Sequence, residues 1–115
     1  MLDINEMKKE SESMYVVIKV NESATLTFLN DGVKKVQTSK KGKDYIMREF
    51  KVNTFDNKEK ILSLFSRDGW RLIEILAKHK GVPTSELTTL ENVKVEVSKI
   101  LNNDNKEVMD FKIIV

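Results

Sequence analysis

Five lysines, Lys34, Lys35, Lys40, Lys41 and Lys43, fall between Asp31 and Lys43 against a single acid, a local charge of +4 in a chain whose net charge is +2. Clustered ammonium groups attract phosphates and release condensed counterions on contact. The same composition suits an exposed turn charged for solubility, and lysines also protect strand edges. Immediately afterwards comes DYIMREFKVNTF, residues 44–55, whose two parities differ in chemistry. Ile46, Phe50 and Val52 share one face and are expected in a core. Tyr45, Met47, Glu49 and Lys51 share the other, where an exposed Tyr45 and Met47 beside Lys51 would offer a stacking platform and a phosphate contact. A bulge in this strand would instead bury Tyr45 and leave Arg48 and Lys51 outside. In KILSLF, residues 60–65, Leu62 and Leu64 read as core if Ile61, Ser63 and Phe65 face out. An outward Phe65 could stack a base; the competing reading packs it under the following helix beside Trp70.

The remaining polar residues read as structural. Asp31, Asp44, Asp56, Asp68 and Asp104 stand at turns and caps, where aspartate satisfies backbone groups. None is paired in sequence with a nucleophile or a base, so no catalytic residue is assigned. The chain has no cysteine and one histidine, His79, which removes disulfides, thiolate chemistry and the usual zinc ligand sets. No metal or cofactor site is therefore expected. Four scattered glycines cannot build a phosphate-binding loop. His79 reads as a surface residue at a helix C-terminus, and Trp70, on an apolar helix face, as packing.

These residues must be positioned by five strands and one helix. Residues 1–14 alternate charges without an apolar period and are expected to be flexible, leaving 15–115 as one domain. Tyr15 to Val20 and Ala24 to Leu29 form the bent run-up of a long first strand, which continues from Val33 to Thr38 across a bulge at Asp31-Gly32. A lysine-tipped turn over 39–43 leads to the second strand, Asp44 to Thr54, and a turn at Asp56-Asn57-Lys58 leads to the third, Lys60 to Phe65. The helix follows, with Ser66 as N-cap, Asp68 at its positive end, Lys78, His79 and Lys80 at its negative end, and Gly81 and Pro83 beyond. Trp70, Ile73, Leu76 and Ala77, widened by Leu72 and Ile75, give it a broad apolar face expected to plug the end of a barrel. Thr84 to Leu90 is a polar connection with a helical turn near Ser85 to Leu87. Val93, Val95 and Val97 alternate with polar residues in the fourth strand. A turn at 102–105 leads to the fifth, where Met109, Phe111, Ile113 and Val115 alternate with Asp110 and Lys112. The longest unbroken apolar run is Met14 to Ile18, too short to cross a membrane, and the opening residues lack an export signal. A cytoplasmic protein is expected.

The order β-β-β-α-β-β is that of the OB-fold, a mainly β, five-stranded Greek-key barrel with one helix between its third and fourth strands. From Ala24 through Val97 the chain resembles the small OB-fold single-stranded DNA-binding proteins of archaea, phages and archaeal viruses. The stretches that carry the likeness are ATLTFLNDGVKKV, KKGKDYIMREFKV, KILSLFSRDGWRLIEIL and LENVKVEVSKIL. The resemblance implies a groove across the second and third strands, flanked by the loops between strands one and two and between strands four and five. Those positions are Lys40, Lys41, Lys43, Tyr45, Met47, Arg48, Lys51, Ile61 and Phe65, with Asn103 and Lys106 at the far loop. It implies non-catalytic binding of single-stranded DNA with little sequence preference, in replication or repair, and no membrane partner. RNA or tRNA as ligand, a protein-binding OB subunit or adaptor, a homo-oligomer, and a replication or repair protein partner remain open readings. The chain departs from the family in having only eight aromatic residues, most of them claimed by the core, and in ending on an apolar strand instead of an acidic tail.

Overall fold

A computed structural model describes residues 2–7 and 14–114. The expectation of a flexible opening segment falls largely on residues outside these; within it, residues 4–7 are helical. The strands are β1 (Ser23–Phe28), β2 (Val33–Thr38), β3 (Asp44–Thr54), β4 (Glu59–Phe65), β5 (Lys94–Leu101) and β6 (Glu107–Ile113). A long helix, α1 (Ser66–Lys80), and a short 3-10 turn at Thr84–Glu86 lie between β4 and β5. Val115, expected to close the last strand, lies outside the described residues.

The six strands of the described residues belong to one antiparallel sheet of order β2-β3-β1-β5-β6, with β4 also paired to β3. The arrangement follows from the length of β3, whose eleven residues pair with β2 along the first half and with β1 along the second. β1 and β2 are thus one expected strand interrupted by a bulge. Phe28 pairs with Val52 and Val33 with Glu49, so five steps on one side match three on the other and two residues are extra. The Asn30 side chain fills the break, its Oδ1 accepting from the Gly32 N–H at 3.1 Å and the Lys51 N–H at 3.0 Å. Gly32 itself has φ +83°, a conformation that L side chains adopt only at a cost. Asp31 ties the bulge to the segment before β5, accepting from Leu90 N–H at 2.6 Å and Thr89 Oγ1 at 2.8 Å.

The inward parities bury one core of Leu26, Phe28, Phe50, Val52, Leu62, Leu64, Val95, Val97 and Phe111, with Leu72 and Leu76 from α1. Phe28 and Phe50 meet edge to face, ring centroids 5.2 Å apart at 86°. α1 ends where its sequence says it should: Gly81, at φ 68°, is left-handed, and the Gly81 and Val82 N–H groups donate to the carbonyls of Lys78 and Ala77.

Several expectations are corrected. Trp70 is 54 % exposed instead of plugging the core. The buried row of α1 is Asp68, Leu72 and Leu76, spaced four residues apart, and at 100° per residue Trp70 stands roughly 160° around the helix from Leu72. Ile46 has the core parity but is 44 % exposed, because the β2–β3 hairpin extends past the end of the core. Ser66 does not cap α1; Phe65 occupies that position, and the Ser66 hydroxyl donates to the Ile46 carbonyl at 3.3 Å. Tyr15 to Val20 is not a strand: only Tyr15 and Val20 make isolated bridges, to Ile61 and Lys99, and Asn21 turns the chain at φ 66°. Finally, the sheet does not close. Among the described residues no ladder joins β4 to β6, and the gap between them is lined by Leu64, Phe65, Asp68, Lys99 and Met109. No helix among the described residues is long and apolar enough to cross a membrane.

Candidate nucleic-acid interface

The outward parity of β3 carries Tyr45, Met47, Glu49 and Lys51 onto one surface, and strand register decides what stands beside each. Gln37 lies opposite Tyr45, Lys35 and Phe65 flank Met47, Val33 and Ser63 flank Glu49, and Ile61 lies opposite Lys51. Phe65 is therefore the diagonal neighbour of Tyr45, close enough for two rings to touch. Their centroids are 5.8 Å apart at 49°, and Phe65 is 53 % exposed. The Tyr45 hydroxyl donates to Gln37 Oε1 at 2.9 Å, which fixes the ring on the sheet. Of the two readings of Phe65, outward or packed under the helix beside Trp70, the geometry agrees with the outward one, with Leu62 and Leu64 buried.

An unpaired Glu49 at the centre of this surface would repel phosphates, but its charge is compensated. Lys35 Nζ lies 3.3 Å from Glu49 Oε1, the Tyr15 hydroxyl donates to Oε2 at 3.2 Å, and the Glu49 side chain is only 13 % exposed. Lys51 stands exposed beside the partly buried Ile61. At the far end of the hairpin, Ser39 N–H donates to the Lys43 carbonyl at 2.8 Å, and Gly42 supplies the positive φ of 79°. Lys40, Lys41 and Lys43 project from this turn, and no ion pair engages them among the described residues.

The structure thus brings together Tyr45, Met47, Lys51, Ile61 and Phe65, with Lys40, Lys41 and Lys43 at the tip two residues and more beyond Tyr45. It separates Arg48, which has the opposite parity and donates from Nη1 to the Gly32 carbonyl at 3.3 Å on the underside of the hairpin. Lys106 and Asn103 are exposed in the β5–β6 turn, where Asn102 Oδ1 accepts from the Lys106 and Asp104 N–H groups. The hairpin they terminate borders the surface across the open gap, where Lys99, Glu107 and Met109 face Met47 and Phe65.

Three residues were missed by reading the sequence for sites. Tyr15 looks like part of a strand, yet its backbone makes a single bridge to Ile61 of β4 and its hydroxyl reaches Glu49 on β3. Lys35 is visible as one lysine of a cluster, but only register shows that it neutralises Glu49. Phe55, at the opposite end of β3 from the lysine tip, is exposed beside Lys94; its place just before the Asp56-Asn57 turn is the only signal that could have found it.

Among the described residues two carboxyls depart from ordinary behaviour. Burial in the gap pushes the Asp68 carboxyl up, partly offset by Arg67 and Arg71. The Thr54 hydroxyl, which donates to Asp56, holds that carboxyl below its usual range, with help from Lys58. Among the described residues no three His, Cys, Asp or Glu side chains gather as a metal site would require. Comparison with protein-family models, with curated proteins and with solved structures finds no match.

Proposed function

We propose that this protein is an OB-type barrel that binds single-stranded DNA without catalysis and with little sequence preference. In this reading β1 and β2 together are the first OB strand, β3 the second, β4 the third, and β5 and β6 the last two, with α1 in the expected place. The observation that carries the proposal is the Tyr45–Phe65 ring pair on the outer surface of β3 and β4, with exposed lysines at both ends of the row. Every base has a π-face, so aromatic platforms bind single strands with little regard to sequence, while the lysines follow the backbone phosphates. A duplex hides those faces within its stack.

Electrophoretic retention of single-stranded DNA, duplex DNA and RNA of one sequence, at low and moderate salt, tests the proposal. Single-stranded DNA should be retained best, with retention falling as salt rises. Preference for RNA in direct competition would move the ligand class to RNA. No retention at low salt would end the nucleic-acid reading and favour a protein-binding adaptor.

A further inference from the structure

A second aromatic lies on the other side of the same hairpin. Consecutive strand residues point to opposite faces, so the underside of β2 and β3 carries Lys34, Val36, Ile46 and Arg48, with Lys34 opposite Arg48 and Val36 opposite Ile46. Val36 and Ile46 are exposed there, and so is Trp70 at the start of α1. Between the hairpin and the helix is a cleft of about 330 Å³ lined by Arg48, Phe50, Gly69, Trp70, Ile73 and Asp31, among others. The acid in this lining is already engaged, since Asp31 Oδ1 accepts from Leu90 N–H and Thr89 Oγ1. Arg48 spends one donor on the Gly32 carbonyl, leaving the rest of its guanidinium for a ligand. The cleft therefore offers an indole face, an apolar wall and a cation.

Resting on the reading above, we infer that this cleft is a second binding station for the same nucleic-acid strand, reached over the free edge of β2. Among the described residues β2 pairs only with β3, which leaves its other edge without a strand partner. Lys34 stands on the lower face beside Arg48, whereas Lys35, on the upper face beside Met47, is paired with Glu49, so Lys34 and Arg48 supply the cations of this edge on its lower side. In this proposal a strand stacked on Tyr45 and Phe65 meets Lys40, Lys41 and Lys43 at the hairpin tip and Lys34 and Arg48 on the lower side before it reaches the indole. A peptide partner would need acidic groups to match these cations; a nucleic acid brings one with each nucleotide and a base to stack on Trp70.

The chain has one tryptophan, so its fluorescence reports the surroundings of Trp70, which are this cleft and the adjoining one toward Thr84 and Leu87. The intact protein is titrated with oligodeoxythymidine of about five and about twenty nucleotides, spanning the site sizes of single OB barrels, with binding followed by anisotropy of the labelled oligonucleotide. Both should bind, but only the longer should quench Trp70. Trp70→Ala should reduce the gain in affinity on lengthening the oligonucleotide about tenfold, and Trp70→Phe should restore most of it. Binding of the long oligonucleotide without quenching, and with an unchanged gain in Trp70→Ala, would overturn the second station and leave the proposed function standing. Equal quenching by the short oligonucleotide would also overturn it, because the cleft would then be the first site. Failure of either oligonucleotide to bind would remove the proposed function and this inference with it.

Discussion

Tyr45 and Phe65 touch across the outer surface with ring centroids 5.8 Å apart, although Phe65 is the last residue before a helix and Tyr45 the second residue of a strand. The contact exists because Met47 pairs with Phe65, which makes Tyr45 its diagonal neighbour. Two rings set at 49° present a broken apolar surface to solvent, with the Tyr45 hydroxyl held back by Gln37.

If that surface stacks bases, Tyr45→Ala and Phe65→Ala should each cost about 1–3 kcal/mol of single-strand affinity. Both rings lie on the solvent side of the sheet, so thermal midpoints should move little. Anisotropy titrations and melting curves on the same preparations check both halves; a mutant that melts early and binds normally would assign the ring to stability.

Changing Lys40, Lys41 and Lys43 together to glutamate should weaken binding and flatten its dependence on salt. Each phosphate contact contributes roughly 0.7 to the logarithmic salt slope for a single strand, so loss of three should reduce the slope by about 2. An unchanged slope in the folded triple mutant would mean that the tip is charged only for solubility.

Asp68 carries a pH signature. Burial raises its carboxyl above the ordinary 3.8, so ionisation penalises the folded state. The penalty is absent below 3.8, where the group is protonated folded and unfolded, and sets in as pH rises through the elevated folded value. Asp68→Asn cannot ionise. It should therefore melt above the wild type near pH 7, with the difference shrinking as pH falls toward about 4, a comparison that thermal melts across this range provide.

Gly32→Ala should destabilise the bulge by at least about 2 kcal/mol. The residue sits at φ +83°, and a Cβ there would lie 2.7 Å from Arg48 Cγ and from the Phe50 ring. Urea titration measures the loss, and a neutral outcome would show that the bulge can rearrange.

Phe50→Ala should cost about 3–5 kcal/mol, as large-to-small core changes do, because the ring is fully enclosed and packs edge-on against Phe28. Trp70→Ala, although it removes a larger side chain, should cost less than half as much, since over half of that residue already faces water. Urea midpoints of the two variants give the comparison directly.

The local pattern alone determined a great deal. Alternation grouped Leu62 and Leu64 on one face, set Val93, Val95 and Val97 into the core, and divided β3 into its two faces, but it left Phe65 between an outward position and packing under the helix. Asp31-Gly32 signalled a bulge inside a long strand, and Gly81 with Pro83 fixed the end of α1. Each of these depends on backbone geometry within a few residues, where period, φ and capping act directly. What only the tertiary structure decided is how those pieces meet. A helical period states which residues share a face, but α1 carries apolar residues over so wide an arc that its rotation was undetermined; packing chose the row Asp68, Leu72 and Leu76, and left Trp70 in solvent. Parity gave Ile46 and Phe50 the same face, yet only the length of the hairpin relative to the core exposes Ile46 and Arg48 and buries Phe50. The docking of Tyr15 on β4, its hydrogen bond to Glu49 and the open gap between β4 and β6 join residues far apart in the chain. Their geometry is set by strand register and by the shape of the whole core, for which no single segment of sequence carries a signal.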